Sequence, residues 1–265
     1  VYGIEKKALP HMLCVTNMLI HDIDDPNVLH GNALEIDYKE LRKMEPFDVI
    51  LMNPPYGGSE KESVKVNFPT ELRSSETADL FMNVIMYRLK KNGRAAVIIP
   101  DGFLFGTDNA KFNIKKKLFS EFNVHTVIRM PHSVFAPYTS IRTNILFFEN
   151  SKPTGETWFY RVDMPEGYKN FSKTRPMKLE HFNEALAWWE NREDIEADGY
   201  PKAKKYTIDE IVERSYNIDL CGFPREEEVI LEPMDLIQEY QEKRASLNAE
   251  IDYVLEQITS MLGGN

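Results

Sequence analysis

The stretch Phe47-Asp48-Val49-Ile50-Leu51-Met52-Asn53-Pro54-Pro55-Tyr56-Gly57-Gly58 decides how this chain is read. Phe47 to Met52 is a short apolar run and predicts a buried strand. The strand must stop at Asn53. Pro54 drives Asn53 out of the helical region, Pro55 does the same to Pro54, and both rings fix φ and remove donors. Tyr56 then leads into two glycines, which tolerate left-handed geometry and close backbone approach. The expected product is a rigid elbow at the carboxyl end of a strand, where open α/β sheets place their ligands.

That elbow offers an amide side chain, carbonyls with no neighbouring N–H, and an aromatic ring. The set suits an exocyclic aromatic amine, whose lone pair is delocalised into its ring and is a poor nucleophile. Two acceptors, the Asn53 side-chain oxygen and the Pro54 carbonyl, would bind the two N–H groups and draw the nitrogen toward tetrahedral geometry. Tyr56 would stack on the ring and hold it at reacting distance. A nucleobase in duplex DNA must first be flipped out, and stacking offsets part of that cost. The plain alternative is a turn that merely ends a strand.

The chain has 265 residues, enough for one large domain or a domain with an appendage. Its 42% hydrophobic and 11% aromatic content can form a sizeable core. No apolar run approaches membrane-spanning length and no signal peptide is visible, so no membrane role is expected. Cys14 and Cys221 suggest neither a disulfide framework nor a zinc site, and are read as reduced thiols of a cytoplasmic protein. No metal site is expected: His11 and His21 lack a third ligand at metal spacing. The formal net charge of −10 disfavours strong independent binding to DNA. Three basic clusters stand out: Arg88, Lys90, Lys91 and Arg94; Lys111, Lys115, Lys116 and Lys117; and Lys169, Lys173, Arg175 and Lys178. Each is read as solvated surface ahead of a phosphate track.

In chain order, Val1 to Glu5 reads as a strand. Lys6 to His21 reads as a helix with an apolar stripe of Leu9, Met12, Leu13, Leu19 and Ile20. Asn27 to Gly31 is the next strand, ended by Asn32. Ser59 to Thr77 is polar without a clear period and predicts a flexible segment near the site. Ala78 to Lys91 is an amphipathic helix stopped by Asn92-Gly93. A buried strand from Arg94 to Pro100 continues into Asp101–Gly106. Asn109 to Phe122 is a helix, and Val124–Met130 and Asn144–Glu149 are strands around a Pro131–Arg142 loop. Phe135 or Tyr138 of that loop could face the base, with core packing or a plain turn as the alternative. Glu156–Asp163 reads as an edge strand, and Glu180–Glu190 and Tyr206–Ser215 as helices. Pro233 starts a long helix with Ile237, Tyr240, Leu247, Ile251, Val254, Leu255, Ile258 and Leu262 on one stripe. Such a helix either meets a partner or folds back on its own domain.

Asn53-Pro54-Pro55-Tyr56 resembles the catalytic motif of amino-methyltransferases that use S-adenosylmethionine. The flanking text is more specific. Gly3–Lys7, Leu9-Pro10-His11, Asn17-Met18-Leu19, His30–Leu34, Ile99–Phe105 and Thr143–Phe148 resemble the modification (M) subunit of type I restriction–modification systems. The likeness is strongest over about the first 150 residues, where these motifs fall in family order.

The resemblance implies an adenine-N6-specific DNA methyltransferase with a Rossmann-like α/β sheet and a carboxyl-terminal helical extension. Asn53, Pro54, Pro55 and Tyr56 are then catalytic, with Tyr56 and Phe135 stacking on the target base. Glu5 would take the ribose hydroxyls of S-adenosylmethionine, although an acid there also suits a helix N-terminus. Asn32 and the Ala33 backbone would meet the cofactor's adenine, although Asn32 also suits a helix cap; Asn53 would touch the cofactor as well. The implied partners are DNA, a specificity (S) subunit docked on the terminal helix, and further a restriction (R) subunit. The family's glycine-rich loop and first strand would precede Val1, so the chain is expected to be the carboxyl-terminal part of a larger subunit. A break is expected in the sheet between its second and fourth strands, with weak cofactor binding by the chain alone. The expected organisation is a partial catalytic domain over 1–150, a peripheral α/β extension and linker over 151–232, and a partner-binding helix over 233–265. Two other readings stay open: a protein-glutamine methyltransferase, which shares such an elbow, and a non-catalytic module that holds a specificity subunit.

Overall fold

A computed structural model describes residues 1–220, 222 and 233–262. It falls into two compact units, Val1–Pro224 and Arg225–Asn265. The first unit opens with β1 (Tyr2–Glu5), α1 (Ala8–Ile20) and β2 (Asn27–His30), the two strands running parallel with Tyr2 opposite Asn27 and Glu5 opposite His30. Then come α2 (Tyr38–Leu41), β3 (Phe47–Met52), α3 (Glu62–Lys65), α4 (Thr77–Arg88), β4 (Leu89–Pro100), α5 (Asp101–Phe105) and α6 (Asn109–Glu121). β5 (Asn123–Arg129), β6 (Thr143–Glu149), β7 (Glu156–Arg161), α7 (Asn183–Glu190), β8 (Ile195–Ala197), β9 (Tyr200–Thr207) and α8 (Ile208–Glu213) complete it.

β1 and β2 form a sheet of their own, and the remaining seven strands form a second in the order β3-β4-β6-β5-β7-β9-β8. β3 is parallel to β4, and β6 lies antiparallel between β4 and β5. The expected break is present: among the described residues no ladder joins β1 to β3. The Tyr2 and Phe47 rings, at the starts of the two strands, lie 5.5 Å apart. Beyond the two strands' ends, Lys6 Nζ lies 3.0 Å from Glu60. Start meets start and end meets end, so β1 and β3 run in the same sense.

The break changes the burial expected of the flanking elements. β3 is not a buried strand: only Ile50 is buried, while Val49 and Leu51 share an open face, Leu51 being 79% exposed. α1 buries none of its residues, and Leu9, Met12, Leu13, Leu19 and Ile20 are exposed. The helix forms where its period predicted, but nothing in the described residues covers its stripe.

The main core lies under β4, β5 and β6, with Val97, Ile99, Leu146, Phe148, Ile114 and Leu118 buried. A second, smaller core corrects the reading of Ser59–Thr77 as a flexible segment. The segment forms α3 and a 3-10 turn at Thr70–Leu72; Val64 and Phe68 pack in this second core with Leu34, Leu41, Leu80 and Val84, while Leu72 joins the main core. Burial of an aromatic side chain such as Phe68 is worth about 3–5 kcal/mol, enough to order a short polar segment around it.

Other boundaries move. α4 stops at Arg88 and β4 begins at Leu89. The register between β3 and β4 skips from Phe47↔Leu89 to Val49↔Arg94, so Lys90–Gly93 bulges outward. A Cβ on Gly93 would sit 3.0 Å from the carbonyl oxygens of Phe47 and Asp48, so only glycine fits that close approach. Asp101–Phe105 is a helical turn, not a strand continuation. β7 is interior, not an edge, because β9 pairs with its far side. The β8–β9 hairpin turns at Asp198-Gly199, both with positive φ, so Tyr206 lies in a strand that ends at Thr207, and the helix after it starts at Ile208.

The second unit is α9 (Pro233–Leu262), a helix of 30 residues. Ile237, Tyr240, Leu247, Ile251, Val254 and Leu255 of its stripe are exposed. The side chains of Ile258 and Leu262, and all of Cys221, lie outside the described residues. No helix among the described residues is long and apolar enough to cross a membrane.

Candidate active site

Asn53 follows the last residue of β3, and the two prolines end the strand there. Asn53 is exposed, Pro54 is buried and Tyr56 is half-buried. The Tyr56 hydroxyl donates to Asn53 Oδ1. Gly57 and Gly58 take positive φ, 71° and 83°. That reversal brings the Gly58 carbonyl to Thr77, whose Oγ1 donates to it at 3.2 Å. The elbow is thus clamped to the start of α4, where Ser59 also bridges Glu76.

Phe135 lies against Tyr56, ring centroids 5.5 Å apart and planes inclined at 56°. It comes from the β5–β6 loop, at the same end of the sheet as the elbow. Tyr138, the other candidate, is 89% exposed. Partial burial pushes the Tyr56 hydroxyl up to about 12, against the opposing pull of its bond to Asn53. It therefore remains a protonated donor at neutral pH.

Glu5 ends β1, and its Oε1 accepts the Lys7 N–H at 2.8 Å just ahead of α1, without capping a helical N–H. Asn32 follows β2, and its Oδ1 accepts the Leu34 N–H at 3.1 Å. The Asn32 cap is therefore realised, whereas Glu5 caps no helical N–H, and neither side chain is used up. Asn32 Nδ2 is buried and finds no hydrogen-bond partner among the described residues. A buried amide N–H2 left unpaired costs about 1–3 kcal/mol, which an acceptor brought by a ligand would recover. Ala33 begins the 3-10 turn beside it. The carboxyl ends of β1, β2 and β3 thus present Glu5, Asn32 and Asn53 on one side of the molecule, with the Lys6–Glu60 ion pair tying the two sheets there.

Two supporting networks were not foreseen. Asp101, just after β4, accepts from Asn144 at 2.7 Å and from Arg129 at 3.4 Å, and Arg129 also reaches Asp219 at 2.6 Å. Lys111 is buried and meets Glu76 at 2.6 Å, Asp79 at 3.1 Å and Asp108 at 3.4 Å. Burial pushes the Asp79 carboxyl up, while Ser74 and Lys111 oppose the shift. Burial, helped by the nearby Lys111 charge and opposed by Asp108 and Asp79, brings Lys115 down to about 8; its ammonium donates to the Leu104 and Gly106 carbonyls at 2.9 and 2.8 Å. Half of the second basic cluster is therefore interior scaffold, not solvated surface. The pairings of Asp101 with Arg129 and Asn144, of Arg129 with Asp219 and of Lys111 with Glu76 and Asp79 join residues far apart in sequence and leave no local signal.

Residues 1–229 match the family model described as N-6 DNA Methylase. The chain is 44% identical over 269 residues to the type I restriction enzyme EcoEI methylase subunit of Escherichia coli, a match covering 100% of this chain and 54% of that protein. It is 30% identical over 200 residues to the EcoKI methylase subunit of Escherichia coli strain K12, across 68% of this chain and 35% of that one. A solved structure from work on assembly and conformational transition of the type I R-M system superposes with a TM-score of 0.74 at 32% identity, covering 98% of this chain and 54% of the other. The crystal structure of the EcoKI M protein, at 22% identity and a TM-score of 0.67, shares the fold. The chain spans about half the length of the curated EcoEI relative. With the elbow, the strand order and these matches in agreement, the chain belongs to the N-6 DNA methylase family.

Proposed function

We propose that this chain is the catalytic part of a type I modification methyltransferase that methylates adenine N6 in DNA. The observation that carries the reading is the elbow: Asn53 exposed at a strand end, Pro54 fixed behind it, and Tyr56 paired with Phe135 beside it. Asn53 Oδ1 and the Pro54 carbonyl accept the two N–H groups of the adenine amine. Tyr56 and Phe135 take the flipped base between them, which requires their rings to part from the 5.5 Å tilted contact. Stacking on such rings is worth about 1–3 kcal/mol per base and offsets part of the cost of extrusion.

S-adenosylmethionine fits the opposite flank and, when bound, supplies the electrophilic methyl group. Asn32 Nδ2, buried and unpartnered, is the donor available to an adenine ring nitrogen of that cofactor. Glu5 keeps its second carboxylate oxygen for a ribose hydroxyl. The test is transfer of labelled methyl to duplex DNA by the complete enzyme, with Asn53→Ala as control. Incorporation into a glutamine-containing peptide and not into DNA would instead favour the protein-methylating alternative.

The exposed stripe of α9 supports docking on a helical specificity subunit. Ile251→Asp with Leu255→Asp should abolish co-purification of that subunit and leave the first unit folded. Retention of the subunit would refute this assignment. The same assay separates the third reading: a module that only holds its partner would assemble normally and methylate nothing.

A further inference from the structure

The segment from Met164 to Lys178 carries four basic side chains, Lys169, Lys173, Arg175 and Lys178, against the single acid Glu166, in a chain of net charge −10. Charges on a surface act over about one Debye length, roughly 8–10 Å, so the local sign matters more than the total. The segment has no helix or strand of its own, yet it is pinned. Phe171 is buried, and its N–H donates to Ser133 Oγ at 2.9 Å. The His132 ring is bonded to the Lys169 carbonyl at 3.0 Å and to Asn170 Oδ1 at 2.9 Å. The Arg175 guanidinium lies 4.7 Å from the centroid of the Tyr168 ring. The pinning point is therefore the β5–β6 loop itself, two residues from Phe135. Lys169 and Lys173 are exposed and have no ion-pair partner among the described residues.

We propose that this strap is a phosphate-binding site for the DNA strand next to the extruded base, with Lys169 and Lys173 as its main contacts and Arg175 beside them. It rests on the reading of Asn53–Tyr56 as a DNA-methylating site, and it adds where the backbone is held. Anchoring by Phe171 and His132 fixes the backbone that bears the two lysines, which lowers the ordering cost of binding. Each lysine neutralises a phosphate without reading sequence.

The experiment is DNA binding by the assembled methyltransferase as a function of salt, with Lys169→Ala/Lys173→Ala, the charge-keeping Lys169→Arg/Lys173→Arg, and Lys39→Ala/Lys43→Ala, on and just after α2, as control. The alanine pair should lower the slope of log affinity against log salt by about 2, or 0.9 per lost contact, and raise the KM for DNA roughly tenfold at moderate salt. Its kcat at saturating DNA should stay within about twofold of the parent, since neither lysine touches the reacting atoms. The arginine pair should restore the slope, and the control pair should leave it unchanged. An unaltered slope in an alanine variant that still methylates DNA would overturn the strap and leave the methyltransferase reading standing. Loss of subunit assembly with an unaltered slope would assign the patch to an acidic protein surface and overturn it too. Absence of methylation by the unmodified enzyme, with the slope still falling in the alanine pair, would overturn the catalytic reading and keep the strap.

Discussion

The Tyr56 hydroxyl donates to Asn53 Oδ1, the very atom proposed to accept the target amine. Tyrosine and base therefore compete for one acceptor, and the site at rest satisfies itself. Tyr56→Phe keeps the ring and releases the amide. It should leave kcat/KM for DNA within a few-fold of the parent, while Tyr56→Ala should lose roughly 10–100-fold through lost stacking. Asn53→Ala should lower kcat by about 10²–10³-fold with little change in melting temperature, because Asn53 is exposed. Single-turnover methylation separates the three variants, and a Tyr56→Phe protein as inactive as Asn53→Ala would contradict the competition.

Phe135 reaches Tyr56 from a different strand connection and leans on the ring's face at 56°. Phe135→Ala should weaken capture of the base more than it slows transfer. A fluorescent adenine analogue at the target position should brighten less on binding, and KM for DNA should rise about tenfold. A normal fluorescence change in this variant would place Phe135 outside the base's path.

Tyr56 and Tyr87 titrate late, each pushed up to about 12 from 10.0, chiefly by burial. The folded state keeps these protons where the unfolded chain has begun to release them. Their contribution to stability is complete below pH 10 and is lost as pH rises toward 12. In an ultraviolet titration, Tyr56→Phe should remove one late-ionising phenol and flatten the alkaline fall in stability. Loss of an early-ionising phenol instead would show that Tyr56 is not shielded.

Lys111 sits among Glu76, Asp79 and Asp108 at the start of α4, where the exit of the elbow is fastened. Lys111→Ala would leave Asp79 buried and uncompensated, at a cost of about 3–5 kcal/mol. Urea unfolding should show this as a lower midpoint. Because Glu76 bridges Ser59, the methylation rate should also fall below that of a comparably destabilised core variant such as Ile114→Ala. Equal rates would make the cluster structural only.

Much of this could be read locally. The proline pair after β3 dictates the elbow by backbone chemistry alone, and the period of Ala8–Ile20 dictates α1. Burial was not local: Leu51 and the α1 stripe are apolar but uncovered, because exposure depends on what pairs with β1 and β3. Val64, Phe68 and Leu72 recur every four residues, a helical spacing masked by the charges between them. Asp198-Gly199 is a hairpin signal that marks β8 and β9, and those strands turn β7 from edge to interior. The meeting of Phe135 with Tyr56, and of Ser133 with Phe171, follows only from the sheet order.

The β1–α1–β2 piece is fastened lightly. α1 has no buried residue, and the ties across to β3 and the elbow include one ring contact and one surface ion pair. Such a piece opens at a small fraction of the global unfolding free energy. Amide exchange should be fast across residues 1–30 and slow across β4, β5 and β6. Uniform protection would refute this. The consequence is a contrast in rigidity within this chain: Glu5, proposed for the methyl donor, rides on a loosely moored flap, whereas Asn53 and Tyr56, proposed for the base, follow a strand set in the slab. Occupancy on the donor side would then be felt first as a quieting of that flap.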